Sequence, residues 1–268
     1  MNEEILIQRS SAKSTSTFPT EMIDLPSHGH FYPINNHLSS GQIELKSMTA
    51  KEEDILTSPN LLKKGLAIDK LIESLIVDKE INVADLLLGD KNALIFAIRR
   101  LAYGDTYGPV DVTCTKCSTL NQISIDLSLL KEKEFDDSKY ERGVNEFEFT
   151  LPTSKIQIKF KLMTDSDEKS MERDAVAMLK IKKDSSTEIT SRLKRMIVEV
   201  NGDRDVVKIK SFVDSNMLSK DSFALRQHIK SISPDINTSV EFCCKQCNSD
   251  ERVGVPMTVQ FFWPDTRI

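Results

Sequence analysis

Glycine is scarce in this 268-residue chain, with 9 in all, and no GxGxxG or GxxxxGK[ST] segment occurs. That excludes the usual phosphate-cradling loops, which need glycine to bring backbone N–H groups against a phosphate. Aromatic residues make up only 6%, with Trp263 the single tryptophan, so a core must rest on Leu, Ile, Val and Met. No apolar run approaches the roughly 18–20 residues that a membrane helix needs. A basic excess is missing too. The net charge is −5, whereas binding through nucleic-acid phosphates asks for clustered Lys and Arg. The short basic runs Lys63-Lys64, Arg99-Arg100 and Lys180 to Lys183 fall in helical patterns and read as solvated faces, with Arg99 and Arg100 ion-paired or facing a partner. Residues 1–20 have no apolar run behind a basic start, so they are not a secretory signal. Rich in Ser, Thr and Lys, they read as a flexible arm. No convergent set of nucleophile and base, or of paired carboxylates, stands out, and Glu52-Glu53 is better explained by helix capping than by acid–base chemistry.

What remains is 39% hydrophobic and 29% charged, the balance of a soluble globular protein. It also carries 5 cysteines. In a reducing cytosol these are better read as metal ligands than as disulfides. Cys114 and Cys117 form one CxxC pair, and Cys244 and Cys247 a second. Two thiolates so spaced can reach one Zn2+ from the tight turn of a hairpin, and two such knuckles complete a closed tetrahedral site of four cysteines. A closed site leaves no position for water, which argues against hydrolytic chemistry. The competing readings are reduced thiols or a redox CxxC, which would show a low-pKa exposed cysteine and a reversible disulfide. Cys243 falls where Thr113 stands in the first pair and reads as a strand residue, not a ligand. None of the four histidines, His28, His30, His37 and His228, lies at ligand spacing from a pair.

The similarity between the two cysteine segments extends beyond the cysteines. Aligning Cys114 with Cys244 brings Ile123, Ile125 and Leu127 onto Val253, Val255 and Met257, the alternation of a returning strand. Upstream, Asp90-x-x-Ala93-Leu94-x-x-x-Ile98 corresponds to Asp221-x-x-Ala224-Leu225-x-x-x-Ile229, an acidic residue opening an amphipathic helix. Further upstream, Ile43-x-Leu45-x-x-Met48-Thr49 corresponds to Ile158-x-Phe160-x-x-Met163-Thr164. Here a strand runs into a Thr-capped helix, with Glu52 and Asp167 at capping-box spacing. Leu25-Pro26-Ser27 and Leu151-Pro152-Thr153 precede these strands. Ile43 and Ile158 are 115 positions apart and Cys114 and Cys244 are 130 apart, so the second copy carries an insertion. Ile197–Val200, Asn201-Gly202 and Val206–Ile209 predict a β-hairpin there. The expected fold is α+β: an internally duplicated strand–helices–knuckle unit whose two pseudo-symmetric halves meet face to face and share the four-cysteine zinc site. The expected divisions are an arm at 1–20, a first repeat at 21–130, a charged linker at 131–146 and a second repeat at 147–268. The run Val259-Gln-Phe261-Phe262-Trp263-Pro264 is expected to be a last strand with Trp263 partly buried.

Several segments carry a resemblance. Leu25-Pro26-Ser27-His28-Gly29-His30-Phe31-Tyr32-Pro33, Met48-Thr49-Ala50-Lys51-Glu52-Glu53, Leu88-Gly89-Asp90-Lys91-Asn92-Ala93-Leu94 through Arg99, Tyr103-Gly104, and the first CxxC resemble the baseplate hub assembly proteins of T-even-type contractile-tailed phages. The resemblance is strong over about residues 22–130 and weaker in the second half. It implies a non-enzymatic scaffold or chaperone for hub subunits, with other hub proteins as partners and neither nucleic acid nor membrane. It places the chain in the host cytoplasm during assembly or in the tail baseplate of the particle. A permanent structural hub subunit is the alternative, and a zinc-ribbon nucleic-acid regulator is opposed by the acidic charge. Self-association and the identity of the hub partner stay open. His30, Phe31 and Tyr32, in a Pro/Gly-rich loop, are the candidate partner contacts. The competing reading has the two aromatics pinning the loop onto the first repeat.

Overall fold

The computed structural model describes residues 18–179, 188–255, 257 and 259–262. Most of the expected arm, and Lys180 to Lys183, lie outside them. Thr20 already belongs to a strand, β1 (Thr20–Asp24), which pairs antiparallel with β2 (Gln42–Lys46). Alternation along β2 buries Ile43 and Leu45. Between the strands, Gly29 and Gly41 hold φ of 71° and 75°, and a Cβ on Gly29 would sit 2.5 Å from the Ser39 carbonyl oxygen. Only glycine fits there. Thr49 and Glu52 form the expected capping box at the start of α1 (Ala50–Thr57). Next come α2 (Pro59–Lys63), α3 (Ala67–Leu75) and the 16-residue α4 (Leu88–Tyr103). A hairpin of β3 (Thr106–Thr113) and β4 (Leu120–Asp126) follows.

The second part of the chain runs in a similar order. β5 (Phe147–Thr150) pairs with β6 (Gln157–Phe160), and β7 (Ile197–Val200) adds to the free edge of β6. Helices α5 (Asp165–Leu179) and α6 (Glu188–Met196) lie between β6 and β7. Helices α7 (Val206–Ser211) and α8 (Ser219–Ile232) come after β7 and lead to the hairpin of β8 (Ser239–Cys243) and β9 (Asp250–Gly254). The architecture is a mixed α and β fold of helices and small antiparallel sheets.

The two acidic helix openings reach beyond their own helices. Asp90 is fully buried and accepts from the Ser27 N–H at 2.9 Å, the Ser27 hydroxyl at 2.6 Å and the Tyr32 hydroxyl at 2.5 Å. Asp221, also fully buried, accepts from the N–H groups of Thr153 at 2.7 Å and Ser154 at 3.0 Å. Each carboxylate thus fastens a Leu-Pro-Ser/Thr turn over the start of a helix, with Leu25 and Leu151 at 0% exposure beneath. Removing either leucine side chain should cost about 2–5 kcal/mol.

Three sequence expectations change. Val206–Ile209 is not the second strand of a hairpin. The Asn201-Gly202 turn forms with positive φ at both residues, but Asp205 then caps a helix by accepting from the Val207 N–H at 2.8 Å. Ile209, Phe212 and Val213 are buried at helical, not alternating, spacing. Residues 259–262 form a 3-10 turn rather than a strand; Trp263 lies outside the described residues. Arg99 is not on a solvated face. It is 1% exposed and donates to the carbonyls of Phe261 (2.9 Å), Gly104 and Thr106 (3.2 Å each), while Arg100 is exposed and paired with Asp105 at 2.6 Å. The segment 131–146, expected as a charged linker between the repeats, is held against the rest of the fold. Lys133 N–H donates to the Asp235 carbonyl and Asn237 N–H to the Lys131 carbonyl, each at 2.8 Å, and Phe135 and Tyr140 pack on the core.

Two crossings tie the first part of the chain to the second. The segment after β4 crosses to the entry of β8, through the contacts of Lys131 and Lys133. The segment after β9 crosses back, placing the Phe261 ring against Phe96 and Tyr107 at 5.2 and 4.9 Å. One hydrophobic core runs from Leu25 to Phe262. Within it, Phe31 meets Phe135, Tyr140 and Phe147 edge-on at 5.1–6.0 Å. A ring of charge, with its two carboxylates buried and its two lysines partly exposed, lies between α3, α4 and α5. Lys91 bridges Asp69 (2.7 Å) and Asp165, and Lys169 bridges the same two carboxylates at 2.8 and 2.6 Å.

Candidate metal centre

Each CxxC occupies the tip of a two-stranded hairpin, and the two tips fold alike. Cys114 N–H donates to the Thr119 carbonyl and Ser118 N–H to the Cys114 carbonyl, both at 2.9 Å. Cys244 N–H donates to the Ser249 carbonyl and Asn248 N–H to the Cys244 carbonyl, again at 2.9 Å. The residue after each second cysteine takes a left-handed conformation, with φ 56° at Ser118 and 51° at Asn248. This turn lets both sulfurs of a pair point the same way.

The two tips meet. The Sγ atoms of Cys114, Cys117, Cys244 and Cys247 all lie within 4.8 Å of one another. Across the tips, Cys114 and Cys247 are 3.7 Å apart and Cys117 and Cys244 are 3.6 Å apart. A disulfide would need about 2.05 Å. The edge of a tetrahedron built on metal–sulfur bonds of about 2.3 Å is about 3.8 Å. The four sulfurs therefore suit a tetrahedral ion and not a pair of disulfides. Cys114 and Cys244 are buried while Cys117 and Cys247 reach the surface. Cys243 is exposed and stands apart from the group, in β8.

The thiols do not behave alike. The backbone N–H groups of Cys247 and Gln246 pull Cys244 down to about 6. The hydroxyl and N–H of Thr119 lower Cys117. Cys114 is pushed up to about 12: the Cys117 N–H pulls it down, but burial and the adjacent thiols of Cys117 and Cys247 outweigh that pull. Sulfurs this close resist ionising together unless a cation sits among them.

Two further residues hold the tips to one another, each crossing from its own hairpin to the other. Asn121, 2% exposed, accepts from the Lys245 N–H at 3.0 Å and donates to Cys244 Sγ at 3.5 Å. Glu251 accepts from the Thr115 hydroxyl at 2.8 Å and from the Cys114 thiol at 3.4 Å. Neither stands out in the sequence by type. Their shared place, seven positions after the first cysteine of each pair, is the signal that finds them.

His30, Phe31 and Tyr32 do not form a surface anchor. They are 9, 2 and 4% exposed. His30 Nε2 lies 2.8 Å from the Tyr140 carbonyl, and the Tyr32 hydroxyl takes the Leu87 N–H at 2.8 Å while donating to Asp90. The loop is pinned, as the competing reading had it, but Phe31 packs on the 131–146 segment and on β5 as well as on the first part of the chain.

No helix among the described residues is long and apolar enough to cross a membrane. A family model described as T4 bacteriophage base plate protein matches residues 30–263. No curated protein and no solved structure matches the chain.

Proposed function

The chain belongs to the T4 bacteriophage base plate protein family, whose model covers residues 30–263, and from that membership we propose that it is a non-enzymatic assembly factor of the baseplate hub, stapled by one structural zinc. The role rests on the family match over residues 30–263, and the observation that carries the zinc staple is the four-sulfur cluster. Its donors come from hairpins 127–133 residues apart in the chain, so a bound ion joins distant parts of the fold. Four thiolates suit zinc and leave no position for a substrate. Bound zinc would supply folding energy rather than chemistry. Its holders would be Cys114, Cys117, Cys244 and Cys247, oriented by Asn121 and Glu251.

The halves read as copies of one duplicated unit that share the ion near a pseudo-twofold axis. Three parallels support this: the matched tip turns, the Leu-Pro-Ser/Thr turns on Asp90 and Asp221, and the Lys46–Glu52 and Lys161–Asp167 pairs at 2.9 and 2.7 Å. The partners would be other hub proteins, met in the host cytoplasm. Mass spectrometry of mature particles beside assembly intermediates tests the role. Presence in intermediates alone is expected, and a fixed copy number in mature particles would instead make it a permanent hub subunit. Elemental analysis should give close to one zinc per chain. Cys114→Ser and Cys244→Ser should each lose the ion and lower the melting temperature; full zinc in Cys244→Ser would end the shared site.

A further inference from the structure

Away from the cysteines, two imidazoles face two carboxylates. His28 Nε2 stands 3.6 Å from Glu132 and its Nδ1 3.9 Å from Asp137, while His30 Nδ1 stands 4.0 Å from the same Asp137 oxygen. These separations are too long for hydrogen bonds. They match the spacing of ligand atoms about one ion: with bonds of about 2.0–2.2 Å, such atoms stand about 3.0–4.2 Å apart. Neither carboxylate pairs with a lysine or arginine among the described residues. Lys139 of the same segment is paired with Asp136 at 2.9 Å, and Lys133 donates to the Lys230 and Ser233 carbonyls.

His30 already has the orientation of a ligand. Its side chain is 11% exposed, and its Nε2 lies 2.8 Å from the Tyr140 carbonyl, which can only accept. In the neutral ring the proton is therefore on Nε2, and Nδ1 faces Asp137 as a lone pair without a hydrogen bond. Metal-bound imidazoles are held in this way, with the other ring N–H on a backbone carbonyl or carboxylate. The loop beneath is fixed. His28 and Gly29 both hold positive φ, 50° and 71°, and Ser27 is fastened to Asp90 by two hydrogen bonds.

We propose that His28, His30 and Asp137, with Glu132 beside them, form a second metal site that takes a divalent cation such as Zn2+ and clamps the 131–146 segment onto the Leu-Pro-Ser turn. Imidazole with carboxylate suits zinc better than calcium or magnesium, which prefer all-oxygen shells. The two imidazoles are not within ligand spacing of each other in this conformation. His28, with its side chain 55% exposed, is free to turn onto the ion. The site shares no residue with the four-cysteine cluster and does not depend on the assembly-factor reading.

The test is equilibrium dialysis of the full chain against Zn2+, with metal and protein counted together. The parent is expected to bind one zinc beyond any held by the cysteines. His28→Ala and Asp137→Asn should each weaken that zinc by about tenfold or more. Neither should change the melting temperature measured before Zn2+ is added, because both side chains are about half exposed. Added Zn2+ should also slow amide exchange at Gly143, whose N–H donates to the His30 carbonyl at 2.8 Å. No additional zinc in the parent overturns the proposal, and so does an additional zinc that both variants keep at full affinity. A zinc that survives Cys244→Ser but is weakened by His28→Ala supports this site even where the shared cysteine site fails.

Discussion

Asn121 joins the two cysteine turns without being a candidate ligand. Its amide satisfies the Lys245 N–H and points a donor at the Cys244 sulfur, with almost no access to water. Asn121→Ala should leave the Lys245 N–H, which is only partly buried, unpaired and remove the hydrogen bond to the Cys244 sulfur. The expected loss is about 1 kcal/mol of stability and, for the ion the four sulfurs are proposed to hold, roughly 10–100-fold in affinity. Chelator competition measures the affinity. An affinity equal to that of the parent would mean the tips hold their geometry without Asn121. The cysteines themselves were readable from spacing alone, because ligand chemistry constrains residue type and separation. Asn121 was not, because its role depends on the other hairpin lying against it.

At the scale of elements, capping was legible and packing partners were not. Thr49 and Glu52 form their capping box as the spacing implies. Burial by itself would raise the Glu52 carboxyl, but hydrogen bonds from Thr49, Ser74 and Lys46 hold it down to about 2. A carboxylate held below its unfolded value near 4.5 stabilises the fold above that pH and loses its contribution as pH falls toward 2. Acid unfolding should therefore include a phase between about pH 4.5 and 2 that Glu52→Gln flattens. Val206–Ile209 shows the opposite case. Its β-branched run after the Asn201-Gly202 turn suggests the second strand of a hairpin, but the Asp205 cap and the burial of Ile209, Phe212 and Val213 make it a helix. Gly89 marks where α4 meets the turn before β8: a Cβ there would fall 1.9 Å from the Pro234 carbonyl oxygen. Alanine normally favours a helix by about 1 kcal/mol over glycine. Gly89→Ala should instead destabilise by about 1–3 kcal/mol or more, read by denaturant titration. A stabilised variant would show that this close approach is not needed.

Across the whole molecule, the ring of Asp69, Lys91, Asp165 and Lys169 binds α3 and α4 to α5. Burial alone would lower both lysines, but hydrogen bonds to Asp165 and Asp69 raise them above their ordinary value. A raised lysine stabilises the fold below its unfolded pKa, about 10.5, and that contribution is lost as pH rises through the folded value. The ring should therefore hold at neutral pH and release only in strong alkali. Asp165→Ala, which leaves the partly buried Lys91 and Lys169 to share the single carboxylate of Asp69, should cost about 1–3 kcal/mol at pH 7. A calorimetric loss under about 1 kcal/mol would show the ring to be dispensable. The sequence by itself determined the two CxxC tips and the capping of the helices, since these follow from local spacing and backbone chemistry. Only the tertiary structure decided that Arg99 is buried among carbonyls, that Phe31 is core, that residues 131–146 are strapped down and that Asn121 and Glu251 cross between the tips. Each of those depends on which distant segment supplies the partner, and a buried charge or an apolar loop residue looks the same in sequence whether its partner is protein or water.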